Sequence, residues 1–391
     1  YMIDEIKLLA KEFKNDLVKF RRYLHEYPEL SFREFETSKY IQQQLKDIGI
    51  EYTVMATTGV VAIIKGKNPA SRVIALRADM DALPITEQNE VDYKSKNIGV
   101  MHACGHDVHS ACLLGAAKIL QHTKDKWDGT VKCIFQPGEE KNPGGASIMI
   151  KEGVLENPAP QKIFAMHVHT VMEAGEFSFR GGIVMASADE IYISLKGRGG
   201  HAASPQLTAD PIFIGAHIVT GLQQIISRNN NPFNPSVLSI TSFQGGTTTN
   251  VIPSEVKLMG TFRAMNEAWR FAAHNIIKKY VVETAASMGA VADITIDVGY
   301  PAVFNDEMLS QKAREQAELF AGKEKVFETE LRMGAEDFAF YAQKIPACFF
   351  RLGTANKSKG ITSGVHTPTF NVDEAAIEHG IGMMAWLAVS C

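Results

Sequence analysis

Three apolar runs in this chain each end in side chains that bind metal or move protons. Val73 to Leu76 leads into Arg77-Ala78-Asp79-Met80-Asp81-Ala82-Leu83-Pro84, Thr130 to Phe135 into Gln136-Pro137-Gly138-Glu139-Glu140, and Ile163 to Met166 into His167-Val168-His169. Short continuous apolar runs are the mark of strands buried on both faces, and open α/β sheets bind their ligands outside the carboxyl ends of such strands. The three endings therefore predict a parallel sheet with a site along one edge. Between the first and second lies Met101 to His109, MHACGHDVH, which packs one cysteine, three histidines and one aspartate into nine residues. A Cys104 thiolate and a His106 imidazole suit zinc or its first-row neighbours, and Gly105 permits the tight turn that aims both at one ion.

At 391 residues the chain exceeds one comfortable core, which predicts two or three domains. Ile3 to Leu24 and Phe35 to Ile48 carry apolar residues at helical spacing, the second with Gly49 as its C-cap, and Val108 to Gln121 reads as a buried helix. Past Gly181-Gly182 the texture changes. Glu190 to Leu195 alternates as a half-buried strand, followed by a helix at Asp210 to Arg228, strands at Val237 to Phe243 and Val256 to Phe262, a helix at Glu267 to Met288 and a strand at Ala292 to Val298. This β-α-β-β-α-β order is a ferredoxin-like split unit, inserted because chemistry-bearing motifs resume after it. The expected organisation is an α/β catalytic domain in two parts, residues 1–185 and 299–391, around an inserted domain at 186–298. Near the end, Met333 to Phe338 is expected to open another helix, and Asp373 to Val389 to form the last.

Lys and Arg number 40 against 44 Asp and Glu, a net charge of -4 that gives no reason to expect nucleic acid or a membrane surface as partner. Five scattered cysteines argue against a disulfide framework and for a reducing compartment, so the cytoplasm is expected. No apolar run reaches the length of a membrane span, and the amino terminus reads as an amphipathic helix instead of a signal peptide. Phosphate-loop and dinucleotide fingerprints are missing, and Gly197 to Gly200 does not substitute for them.

Cys104, His106, Glu140, His167 and His366 are the candidate ligands. Two divalent ions about 3.5 to 4 Å apart can share a bridging thiolate and a bridging water, the arrangement used for hydrolysis. Adjacent side chains on an extended segment point apart, so Glu140 can bind metal while Glu139 takes a proton from water. Asp79 and Asp81 suit the support of ligand imidazoles. Two readings stand for Asp107, as a helix N-cap or as a similar support. His102 and His109 flank the site as surplus, and His169 competes with the favoured His167.

Nine motifs, in order along essentially the whole chain, resemble the metal-dependent amidohydrolase family of hippurate hydrolases, N-acetyl-diaminopimelate deacetylases, auxin-conjugate hydrolases and aminoacylase or carboxypeptidase-like enzymes. They are Arg77 to Pro84, MHACGHD at 101–107, FQPGEE at 135–140, MHVH at 166–169, KGRGGHAASP at 196–205, NVIP at 250–253, GTFRA at 260–264, MGAEDF at 333–338 and HTPTF at 366–370. The resemblance implies a binuclear zinc-peptidase-like α/β domain with an inserted lid that also forms a homodimer or higher homo-oligomer. It implies metal at Cys104, His106, Glu140, His167 and His366, with Glu139 as general base and Asp81 beside it in the catalytic group. It further implies His201 as oxyanion donor reaching in from a partner subunit, and Asn250 and Arg263 as contacts to a substrate carboxylate. Two divalent ions per subunit are expected, zinc first, with manganese, cobalt or nickel as alternatives. The expected reaction is hydrolysis of the amide bond of small N-acyl-amino acids by a metal-activated water, the alternative a dipeptidase or carboxypeptidase acting on short peptides. A silent metal- or amino-acid-binding protein is the non-enzyme reading, against which the pairing of Glu139 with Glu140 argues. Two departures from the family, His169 with Thr170 and the segment Lys141 to Gly145, touch specificity more than reaction type.

Overall fold

The computed structural model describes residues 1–391 and divides into two units, one of Tyr1–Gly182, Phe304–Glu330 and Asp337–Cys391, the other of Ile183–Val303 and Leu331–Glu336. In the first unit α1 (Met2–Glu26) buries Ile6, Leu9, Phe13, Leu17, Phe20 and Leu24, the stripe its spacing predicts. Arg21 and His25 lie buried on the same stripe. A connection through Pro28 leads to α2 (Phe35–Ile48), which stops at Gly49 in the left-handed conformation. There follow β1 (Glu51–Met55), β2 (Gly59–Lys65), β3 (Val73–Asp79), α3 (His106–His122), β4 (Thr130–Gln136), α4 (Gly145–Lys151), β5 (Lys162–Glu173) and β6 (Phe177–Phe179).

The second unit runs β7 (Asp189–Lys196), α5 (Pro211–Gln224), β8 (Ser236–Gln244), β9 (Glu255–Ala264), α6 (Glu267–Ser287) and β10 (Val291–Val298). Its sheet has the order β8-β9-β7-β10, antiparallel throughout. Alternate residues of β7 are buried, and Ile191, Ile193 and Leu195 join α5 and α6 residues such as Ile218 and Ile277 in a core of their own. Asp210 and Asn266 cap α5 and α6 by accepting backbone N–H groups. The first of these helices is shorter than its sequence implies: α-geometry stops at Gln224, and a single π turn, Ile225–Asn229, carries the chain on.

The chain returns to the first unit with α7 (Glu307–Ala321), β11 (Val326–Glu328), β12 (Ala347–Ala355) and α8 (Ala375–Ser390). No helix opens at Met333; the first helical turn there is Ala339–Ala342, because the Asp337 carboxylate is engaged by Arg77, Gln136 and the Ala146 N–H instead of capping. The eight-stranded sheet has the order β1-β2-β4-β3-β5-β12-β6-β11. Its centre, β4-β3-β5-β12, is parallel, and β2 and β6 flank it antiparallel, so the sheet is mixed where a parallel one is expected. Parallel register brings Asp79 opposite Gln136 and His167 opposite Arg351, which aligns the polar strand endings along one edge. α1, α3 and α8 cover the core, to which β3, β4, β5 and β12 contribute Leu76, Phe135, Met166 and Phe350. No helix is long and apolar enough to cross a membrane, and all five cysteines are unpaired and buried.

Candidate metal centre

Gly105 caps α3 with φ +85°, and a Cβ there would meet Val168 at 2.5 Å, so the turn before the helix admits only glycine. Cys104 and His106 are thereby set on either side of the turn. His106 Nδ1–H donates to Asp81 Oδ1 at 3.1 Å, while its Nε2 is buried without a hydrogen bond, 3.5 Å from Asp79 Oδ2. On β5, His167 Nδ1–H donates to the Val168 carbonyl at 2.8 Å and turns Nε2 to within 3.5 Å of Cys104 Sγ. His366 stands in a loop at φ +62°, its backbone N–H bonded to the Ala103 carbonyl at 2.7 Å, with its Nε2 3.2 Å from Glu140 Oε1.

Two of the donor groups gathered here contain Cys104. The donor atoms of Cys104, His106 and His167 lie within 4.8 Å of one another, as do those of Cys104, Glu140 and His366. Cys104 belongs to both. A soft sulfur common to two sets of imidazole and carboxylate donors, with a buried imidazole nitrogen that makes no hydrogen bond, fits a pair of borderline divalent ions. Burial, aided by the Glu140 charge, pushes the Cys104 thiol up. Hydrogen bonds to Cys104 and Glu140 push His366 up to about 10. Glu139 faces the same space, its Oε2 3.9 Å from His106 Nε2.

Asp81 is the hinge of this arrangement. While Oδ1 holds His106, Oδ2 accepts the Glu140 N–H at 3.0 Å and the Ser31 hydroxyl at 2.6 Å. Asp79 accepts from His109 Nδ1 at 2.6 Å and from Arg77 at 3.0 Å, and His109 Nε2 accepts the Val168 N–H at 3.0 Å. Both nitrogens of His109 are thus spent, and it braces Asp79 and β5 instead of offering a free donor. The Gln136–Glu140 loop is fastened from several sides: Arg77 donates to Gln136 at 2.9 Å, Gly138 N–H to Glu34 at 2.8 Å, and Gly145 N–H to the Gly138 carbonyl at 3.0 Å.

Residues 75–389 match peptidase family M20/M25/M40. The chain belongs to this family. Among its relatives, thermostable carboxypeptidase 1 of Saccharolobus solfataricus is 38% identical over 99% of this chain and 98% of its own length. The N-acyl-L-amino acid amidohydrolase of Geobacillus stearothermophilus is 42% identical over 77% of this chain and 81% of its own. The solved structure of the Bacillus subtilis YXEP protein, described as a dinuclear metal binding peptidase from the M20 family, superposes with a TM-score of 0.84 at 37% identity, covering 97% of this chain and 98% of that one.

In this M20 peptidase Asp107 neither caps α3 nor touches a candidate ligand. It is buried and paired with Arg21 at 2.7 Å and His25 at 2.8 Å, while His25 bonds Glu87 at 2.9 Å and Arg21 bonds Glu374 at 3.2 Å. Burial alone would raise its carboxyl; Arg21 and His25 outweigh that and hold it well below the usual range. His102 is buried with neither ring nitrogen hydrogen-bonded, and burial pushes it down to about 4. His169 is buried on β5 and belongs to neither donor group.

The other site residues expected from the family lie in the second unit. His201 is exposed on the short strand Gly200–His201, which pairs with Val251–Ile252 and so stands beside Asn250, whose carbonyl accepts the Ala202 N–H at 3.0 Å. Arg263 is half-buried on β9, donating to the Thr261 hydroxyl at 2.6 Å. Sequence reasoning missed Ser31, Glu34, Arg21 and His25, and it quoted Gln136 and Asp337 only within motifs, without a role. Arg21 and His25 left a local trace, as polar residues on the apolar stripe of α1.

Proposed function

We propose that this M20 peptidase hydrolyses the amide bond of N-acyl-amino acids with two divalent ions per subunit, zinc first. His106 and His167 would hold one ion, Glu140 and His366 the other, with Cys104 available to both. The observation that carries the reading is the membership of Cys104 in two donor groups, with a second carboxylate, Glu139, adjoining them. When bound, the ions supply Lewis acidity that polarises the acyl carbonyl and lowers the pKa of water.

The chain's own residues do the rest. Glu139 takes the proton of the attacking water and passes it to the leaving amine. Asp81 keeps His106 in the tautomer that leaves Nε2 available and holds the Glu140 backbone at the same time. The second unit acts as an inserted lid of the β-α-β-β-α-β kind, a reading supported by its strand order β8-β9-β7-β10 and its separate core. His201 donates to the developing oxyanion, Asn250 and Arg263 take the substrate carboxylate, and the lid joins two subunits in a homodimer. Five unpaired cysteines accord with a reducing compartment such as the cytoplasm.

Cleavage of short peptides at the same site is the second reading, favoured by the relative named a carboxypeptidase. N-acetyl, N-benzoyl and dipeptide substrates, assayed against protein reconstituted with zinc, manganese, cobalt or nickel, decide between them. Failure of every pairing would sink both. Glu139→Gln should keep its metal and lose turnover by about 100-fold or more, the scale of a positioned general base. Metal analysis beside the assay checks it, and activity near the parent level would remove Glu139 from the mechanism.

A further inference from the structure

The connection between α1 and α2 is fastened at four points to the segments that carry Asp81 and Gly138. The Glu29 carbonyl accepts the Ala82 N–H at 2.8 Å and Leu30 bridges Ala82, which lays the segment alongside Asp81. Ser31 donates its hydroxyl to Asp81 at 2.6 Å. Phe32 adopts φ +65°, a costly conformation for an aromatic residue, and lays its ring against Gly138, where a Cβ would stand 2.3 Å away. Glu34 is wholly buried; Oε1 accepts the N–H groups of Phe32 at 2.9 Å and Gly138 at 2.8 Å, and Oε2 accepts the Thr58 hydroxyl at 3.0 Å.

A buried carboxylate whose partners are backbone N–H groups and a hydroxyl is costly to the fold, and a hydrophobe of similar size would serve stability better. What it gains is direction. Gly138 immediately precedes Glu139 and Glu140, and an error of 1 Å in such groups costs about 100-fold in rate. We propose that Ser31–Glu34 is a strap that positions the Glu139–Glu140 loop, with Glu34 as its positioning residue, acting through the Gly138 N–H. The inference rests on the roles given to Glu139 and Glu140 above.

Glu34→Ala, Glu34→Gln and Ser31→Ala, each loaded with metal, test it against the parent by kcat, KM, metal content and amide exchange across Gly138–Glu140. Glu34→Ala should lower kcat about 10- to 100-fold, with KM within about threefold and metal content unchanged. Glu34→Gln keeps an oxygen for both N–H groups and should recover kcat to within about fivefold of the parent. Exchange at the Gly138 amide should accelerate in the alanine variant and stay near the parent rate in the glutamine variant. A folded, metal-loaded Glu34→Ala protein with parent kcat and parent exchange overturns the inference. If that variant does not fold, Ser31→Ala decides: a fall in kcat of about threefold or more at constant metal supports the strap, and an unchanged kcat overturns it. Glu139→Gln in the same assay separates the two levels, since its retaining activity would remove the role of Glu139 and not the strap's hold on Gly138.

Discussion

Cys104 is the residue that the two proposed ion seats share, since the donor groups Cys104–His106–His167 and Cys104–Glu140–His366 both contain it. Cys104→Ala should therefore abolish binding of both ions, whereas His366→Ala, which touches one group, should leave about one ion per chain. Elemental analysis after dialysis checks the pair, and equal losses from the two variants would deny Cys104 its shared position. Glu34 makes a separate prediction about pH. Burial, reinforced by the Asp81 charge, pushes its carboxyl from 4.5 up to about 7. A carboxyl whose folded pKa exceeds its unfolded one binds a proton on folding, so its contribution is full below 4.5 and is lost as pH rises through about 7. Metal-stripped parent protein should lose stability relative to Glu34→Gln across that window, by up to about 3 kcal/mol, in denaturant titrations from pH 5 to pH 8. A pH-independent difference would contradict it.

At the scale of elements, α1 is tied to the start of α3 by the buried Arg21–Asp107 pair, on which His25 also converges. Removing one side of a buried pair leaves an uncompensated charge, so Arg21→Ala should cost about 3 to 5 kcal/mol, read as a fall in the denaturant midpoint. Exposed pairs such as Lys39–Glu36 should leave the midpoint almost unmoved on the same treatment, because solvent screens them. These elements also show what a sequence discloses. The strand endings at Asp79, Glu139 and His167 are legible because an apolar run and its polar end are neighbours in the chain. Asp107 invites a local reading beside His106, yet its partner Arg21 lies 86 positions away, and Arg77 finds Asp337 across 260. No periodicity encodes pairings of that separation. Glu34 looks like an ordinary charge before a helix, and only the folded chain brings Gly138 onto it. The missing helix at Met333 has the same cause, since Asp337 serves distant partners instead of its own backbone.

For the whole molecule, two cores imply two cooperative blocks. Ile191, Ile218 and Ile277 belong to one cluster, and Leu76, Val108 and Ile381 to another. In the smaller unit Asp189 is held by Arg270 at 2.6 Å and His274 at 2.7 Å. Arg270→Ala should lower one calorimetric transition, by about 3 kcal/mol or more, and leave the other in place. A single transition that moves as one would show that the blocks unfold together. The alternation in β7 made the second unit's half-buried sheet legible, whereas the antiparallel flanks of the larger sheet were not, since a buried apolar run reads the same in either direction.

The donor groups also impose an order in time. Cys104, His106, Glu140 and His167 precede the second unit along the chain, and His366 follows it. A ribosome releasing the protein from its amino end thus presents thiolate, carboxylate and two imidazoles while the whole second unit is still being made. On the proposed ligand set, an ion arriving early would meet only part of its seat, since His366 is made last.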